Sequence, residues 1–167
     1  METIAIYWEP VIKTYGILER SGLSLVTLPI SSAAPDSRAT GYLEAASTWD
    51  NVKIVFASSN SPGGLSLKIL VDGPPPQPLG DNEPPPGLYI EAPVELVYFQ
   101  GPHFGDRYGI ADTALGALAD HGLSLKAMVC AGASVYLVMA PGGARKAGQI
   151  LSQAFVVPTS VESGPGS

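Results

Sequence analysis

The stretch that decides the fold runs from Val94 to Pro158, VELVYFQGPHFGDRYGIADTALGALADHGLSLKAMVCAGASVYLVMAPGGARKAGQILSQAFVVP. Val94–Gln100 is rich in β-branched and aromatic residues and predicts a strand. A glycine-rich loop follows from Gly101 to Gly109. In Ile110–His121, Ala111, Ala114, Leu115 and Leu118 fall at i, i+3, i+4 and i+7, which predicts one apolar helix face. Asp112 stands in the first turn, where the helix dipole favours a carboxylate. Gly122 stands where a left-handed glycine ends a helix. Leu123, Leu125, Ala127 and Val129 then alternate with Ser124, Lys126, Met128 and Cys130, the period of a strand with one buried face. Gly132 breaks it, and Ser134–Ala140 predicts a second strand. Pro141-Gly142-Gly143 opens a second helix with Ala147, Ile150, Leu151 and Ala154 on one face, and Ala154–Pro158 predicts a last short strand. The order β-α-β-β-α-β is that of a ferredoxin-like unit.

Outward from this unit, the clearest boundary is Gly73–Gly87, GPPPQPLGDNEPPPG. Proline fixes φ and lacks an amide donor, so this stretch fits neither helix nor central strand. It reads as an extended connector, or alternatively as a proline-rich recognition motif, although no PxxP with flanking basic residues is present. Before it, Thr3–Glu9 alternates as a strand. Pro10 suits a first helical turn, Val11–Ser21 is expected to be helical, Gly22 to stop it, and Leu23–Ile30 to be a strand. Pro35–Thr48 is expected to be a loop with a short helix. Val52–Ser59 and Leu65–Asp72 predict a hairpin around Asn60–Gly64. Gly16, Leu18, Gly22, Leu23, Ser24 and Leu25 recur one hundred positions later as Gly116, Leu118, Gly122, Leu123, Ser124 and Leu125. The recurrence suggests duplication, with chance as the alternative, since GLSL also occurs at Gly64–Leu67. The expected organisation is a divergent module over 1–72, a proline-rich linker over 73–93, a regular module over 94–158 and a frayed tail over 159–167. The fold class is α+β, two ferredoxin-like modules with antiparallel sheets.

Composition narrows the function. The chain has 167 residues, 46% hydrophobic and 14% charged, with a net charge of −6. A wholly disordered chain and a coiled coil are excluded. Nucleic acid is not expected as a partner, because phosphate binding needs clustered cations. One cysteine and two histidines exclude a disulfide framework and a Cys/His zinc site. No cofactor or metal is expected. The start carries Glu2 and no basic run, so no secretory signal is read, and apolar stretches are broken before membrane-spanning length. The expectation is a soluble, cytoplasmic protein with no membrane partner.

The chemistry is sparse. No G-x-S-x-G, phosphate-binding loop or dinucleotide fingerprint occurs. Cys130 is expected to be a small core hydrophobe and His121 a structural residue at a helix C-terminus. His103 and Asp106 share the glycine-rich loop and could form an acid–base pair, but no nucleophile stands beside them. The loop itself is more informative. Gly101, Gly105 and Gly109 allow close backbone approach, and the helix start that follows offers unpaired N–H groups to a carboxylate. Asp106 can meet an ammonium and Arg107 a second acid. The loop thus suits a zwitterion, or it is a plain turn in which Asp106 caps the helix.

Read in order, ELVYFQG, PHFGDRYGIADTALGALADH, GLSL, SVYLVM and ILSQAF resemble the ACT domain family, specifically the regulatory ACT modules of aspartate kinases. Asp106-Arg107-Tyr108-Gly109-Ile110 is similar to the family's D/N-x-P-G-[VIL] ligand loop, with Tyr108 in place of proline. The resemblance spans about 65 residues, extends weakly over Thr3–Ile30, and leaves out the proline-rich linker. It implies an amino-acid effector between this loop and a neighbouring module's strand, with modules paired edge to edge. The ligand contacts it implies are His103, Asp106, Tyr108, Gly109, Ile110 and Ala111, with Lys126 and Met128 from the following strand. The counterpart Lys13-Thr14-Tyr15-Gly16-Ile17 has no acid at the place of Asp106, which puts a second site in doubt. No kinase domain is read, so no enzyme activity is expected. The implied function is a stand-alone, amino-acid-binding regulatory or sensor protein, with a second copy (a homo-oligomer, dimeric) and a biosynthetic enzyme as its expected partners. The alternatives are a non-binding dimerisation module or a regulatory subunit of an amino-acid-biosynthesis enzyme. Glu95–Gly101 also matches the E-x-x-Y-x-Q-G pattern of a common tag-removal protease and is read as native sequence.

Overall fold

A computed structural model describes residues 11–30, 37–60, 64–75, 84–105 and 107–157. The expected strand Thr3–Glu9 and the tail 159–167 lie outside the described residues. In chain order the elements are β1 (Gly16–Ile30), α1 (Ser37–Ala46), β2 (Val52–Asn60), β3 (Gly64–Asp72), β4 (Tyr89–Gln100), α2 (Ile110–Asp120), β5 (Ala127–Ala131), β6 (Ser134–Met139) and α3 (Gly143–Ala154). The fold is α+β, with antiparallel strands in two ferredoxin-like units. No helix among the described residues is long and apolar enough to cross a membrane.

One compact unit is Ser21–Val94. β1 and β3 pair antiparallel from Leu23↔Asp72 to Ile30↔Leu65, and β2 pairs with β3 from Asn60↔Gly64 to Val52↔Val71, with a register shift between Val52 and Ile54. The expected hairpin around 60–64 is present. α1 lays Tyr42 and Ala46 on Val26, Leu28, Ile69 and Val71. Each large apolar side chain buried in this way contributes about 1.5–3 kcal/mol. Tyr42 also meets Trp49 edge-on at 5.5 Å. Where a regular ferredoxin-like unit has its second helix, between β3 and β4, this unit carries the proline-rich stretch, whose described residues are not helical. That is the physical content of its divergence: prolines at 74–76 and 84–86 cannot supply helix hydrogen bonds. The ends of the stretch are tied to β1. Ser24 Oγ donates to the Gly73 carbonyl at 2.7 Å, and Gly87, at φ 73°, packs so closely on Pro29 that a Cβ would stand 2.9 Å from its Cγ.

The other unit joins, among the described residues, 11–20 to 95–157. β4 pairs antiparallel with β6 from Glu95↔Met139 to Gln100↔Ser134, and β6 pairs with β5 from Ala127↔Val138 to Ala131↔Ser134. α2 and α3 cover one face, burying Val97, Phe99, Leu118, Leu137 and Leu151.

Several expectations are corrected. Val11–Ser21 is not a helix. Residues 12–15 are extended, and β1 begins at Gly16. The stretch holds Val11, Ile12, Thr14, Tyr15 and Ile17, types that favour strands, and Gly16 weakens a helix. The compact units divide between Val94 and Glu95, beside the expected start of the second module, but not at 72. Residues 11–20 group with 95–157, and 21–94 stand as one unit. Residues 89–93 are not linker but the start of β4, as Tyr89 and Ile90 allow. The hundred-residue recurrence does not mark equivalent structure, because Gly16–Leu25 is strand whereas Gly116–Asp120 is helix. The α2 face is rotated: Ile110, Ala114 and Leu118 are buried and Leu115 is 45% exposed. Residues 123–126 lead into β5 rather than belonging to it, because the helix stop places Leu123 N–H on the Leu118 carbonyl. Cys130 is exposed, on β5 at the end of the strand order β4-β6-β5, and partial burial pushes its thiol pKa up.

Candidate functional site

β4 delivers the chain to the loop 101–109, and α2 takes it away. Tyr15 N–H donates to the Gln100 carbonyl at 2.8 Å, which fixes the strand's end. Gly101 is required by packing: a Cβ there would overlap the Lys13 carbonyl and the Phe104 ring. Phe104 is buried and sits edge-on to Phe99 at 5.9 Å. The loop therefore turns inward at Phe104 before it turns out again. His103 takes a left-handed conformation, φ 61°, with an exposed side chain. A Cβ on Gly105 would lie 4.0 Å from the Gly132 carbonyl, so the loop tip stands beside the β5–β6 turn. Arg107 Nη1 donates to the Val11 carbonyl at 3.1 Å, which engages it with backbone. Asp106 lies outside the described residues.

Tyr108 is 92% exposed and immediately precedes Gly109, whose left-handed φ of 87° turns the chain into α2. Gly109 accepts from Thr113 N–H at 2.9 Å but has no side chain with which to cap the helix. The amides of Ile110, Ala111 and Asp112 have no intrahelical acceptor, so this end carries partial positive charge. Gly109 itself offers no side chain to them.

α3 provides an internal comparison. It too begins on a left-handed glycine, Gly142 at φ 81°. Its first turn is closed: Ala144 N–H donates to Glu95 Oε2 at 2.8 Å. A carboxylate at a helix start is the arrangement the dipole favours. In one unit, two helices thus start on left-handed glycines, and for α3 a carboxylate from β4 meets the first turn.

The expected residues divide into groups. Tyr108, Gly109 and Ala111 stand together at the start of α2. Ile110 sends its side chain into the core and offers only its amide. His103 lies at the far side of the Phe104 turn. Lys126 is exposed just before β5, its N–H bonded to the Val138 carbonyl, and Met128 packs partly buried against the core. Lys13-Thr14-Tyr15 forms no second loop: its backbone is bonded to Val156 and Gln100. His121 serves its helix end, with Nδ1 2.8 Å from the Ala117 carbonyl.

Three features escaped the sequence. Glu95 looked like an ordinary strand residue, and only the tertiary fold brings it to α3. The segment 11–15 lies between helix-like signals at Pro10 and Gly22, yet it bonds to Gln100 and Val156 as extended chain. A cleft of about 260 Å³ in the 21–94 unit, lined by Leu43, Trp49, Val52, Val55, Leu67 and Ile69 among others, lies between α1 and the β2–β3 hairpin. The apolar content of those segments was visible, but not their convergence.

No protein-family model and no curated protein matches the sequence. Solved structures do. One of aspartokinase alpha and beta subunits is 15% identical, with a TM-score of 0.64 over 84% of this chain and 97% of that chain. The regulatory subunit of aspartate kinase from Thermus flavus is 11% identical, with a TM-score of 0.64 over 85% of this chain and 98% of its own. Aspartate kinase from Synechocystis is 18% identical, with a TM-score of 0.68 over 92% of this chain and 29% of its own. At such identities the likeness establishes architecture, and this chain has the fold of the tandem ACT regulatory region of aspartate kinases.

Proposed function

We propose that this chain is a non-catalytic regulatory protein that binds a small amino acid at the start of α2. One observation carries the reading: α2 begins on a left-handed glycine without a described side-chain cap, whereas α3 in the same unit is closed by Glu95. The amides of Ile110 and Ala111 would take the ligand carboxylate. Asp106 would take the ammonium, a role that rests on its place in the sequence. Tyr108 would cover the bound molecule. His103, Lys126 and Met128 complete the expected set, with Ile110 acting through its amide. The fold shared with aspartate kinase regulatory subunits supports an allosteric role, in which the ligand favours one arrangement and a biosynthetic enzyme or second copy responds. Calorimetric titration with each proteinogenic amino acid tests this. Saturable heat with at least one, lost in Gly109→Val, is the expected result. Flat titrations at millimolar ligand for all of them would remove the proposal.

A second reading, pairing between copies, is favoured by β2. It is the outer strand in the order β2-β3-β1, nine residues long, with Val55 51% exposed beside the apolar cleft. An outer strand of this length offers a row of backbone groups to a second chain. Sedimentation of the wild type against a Val55→Lys variant tests it: a dimer that the lysine dissociates is expected, and a wild-type monomer at micromolar concentration counts against it.

A further inference from the structure

We propose that residues 11–15 form a strap that carries a displacement of the 101–109 loop to the C-terminal end of α3. The strap meets both ends of the loop. At the entry, Tyr15 N–H donates to the Gln100 carbonyl at 2.8 Å, and Gly101 leaves no room between the Lys13 carbonyl and Phe104. At the exit, Arg107 Nη1 donates to the Val11 carbonyl at 3.1 Å. On its other side the strap holds the residue that follows Phe155. Thr14 N–H donates to the Val156 carbonyl at 2.8 Å, Val156 N–H donates to the Ile12 carbonyl at 2.9 Å, and Lys13 and Val156 form a parallel bridge. Thr14 is 2% exposed, so this side cannot exchange its bonds for water without opening.

A second track runs inside the core. Phe104 packs on Phe99 at 5.9 Å, and Phe99 packs on Phe155 at 5.1 Å. The strap and the aromatic row join the same two places, the loop and the end of α3. A loop that moves by about an ångström must either break its bonds to the strap or take the strap along, because packed interiors yield little. The strap has no loop chemistry of its own, and its part is positional.

The proposal deepens the reading of the 101–109 loop as the binding site, and its first test needs no ligand. Hydrogen exchange of the full chain would be compared for the wild type, Arg107→Ala and Arg107→Lys. The expected result for Arg107→Ala is about threefold faster exchange at Thr14 and Val156, the loss of one net hydrogen bond. The amides of Leu118 and Leu137 should keep their wild-type rates, and lysine should restore part of the protection. Unchanged rates at Thr14 and Val156, or an equal rise across the whole unit, would overturn the strap. In a second arm, a mixture of proteinogenic amino acids at millimolar concentration should alter exchange at Val156 in the wild type and less so in Arg107→Ala. Protection at Ile110 and Ala111 without any change at Val156 would also overturn the strap while leaving the site. No protection anywhere would remove the site alone, and the first arm then decides.

Discussion

The two helices of the unit that joins 11–20 to 95–157 begin alike and are completed differently. Each starts on a left-handed glycine, and each leaves its first amides without intrahelical acceptors. For α3, the chain supplies Glu95 from β4. For α2, the described residues supply no side chain. The difference teaches that an open helix start in this fold is not a necessity of its geometry. The same unit closes one with a carboxylate brought from a distant strand, and the other, without such a partner among the described residues, follows the exposed Tyr108.

The strongest way to break this comparison is to remove the support under α2. Leu118→Ala, at a site 1% exposed, is expected to cost about 2–5 kcal/mol, and Leu115→Ala less than about 1 kcal/mol. Urea unfolding measures both, and equal costs would mean that α2 is rotated from the orientation described. The native Glu95–Gly101 segment gives a companion readout. Its side chains at Val97 and Phe99 are fully buried, so the tag-removal protease whose pattern it matches should not cut the folded chain after Gln100. Cutting should become measurable in Leu118→Ala as the open population rises.

Next in size, Gly109→Ala and Gly142→Ala should each cost about 1–2 kcal/mol, the penalty for a side chain at positive φ. A cost at one site only would show that the two starts are not alike. Glu95→Ala should cost about 1 kcal/mol, the value of a lost helix cap, with faster exchange at Ala144 and none of that effect at α2. Glu95→Gln should recover part of it, since an amide oxygen still accepts. Smallest in stability is Tyr108→Ala, expected within about 0.5 kcal/mol of the wild type because the side chain is 92% exposed. Its predicted effect is on ligand affinity, and equal affinities in the calorimeter would take Tyr108 out of the site.

The sequence was most legible where local physics and tertiary packing agree. α2 and α3 were expected within a few residues of their observed bounds, because Gly109, Gly122 and Gly142 punctuate apolar repeats. The β2–β3 hairpin was legible for the same reason. It misled at 11–21, where Pro10 and Gly22 resembled helix signals at either end of a run that pairs as strand. It misled again at the hundred-residue recurrence, since identical Gly, Leu and Ser residues take whatever conformation their surroundings stabilise. Of the candidate site, the helix start and its glycine were legible. The inward turn of Phe104 and the engagement of Arg107 with Val11 were not, because both depend on residues distant in sequence.

Sequence by itself determined the types of β4, α2, β5, β6 and α3, and that the described residues of the proline-rich stretch are not helical. Backbone conformational limits and hydrophobic period act over a few residues and can be read there. Only the tertiary structure decided that residues 11–20 belong with 95–157, that Glu95 closes α3, and that α2 stays open among the described residues. Those outcomes depend on which strands lie side by side, and that is settled by contacts between segments far apart in sequence, from 49 residues for Glu95 and Ala144 to 142 for Thr14 and Val156, which no local pattern encodes.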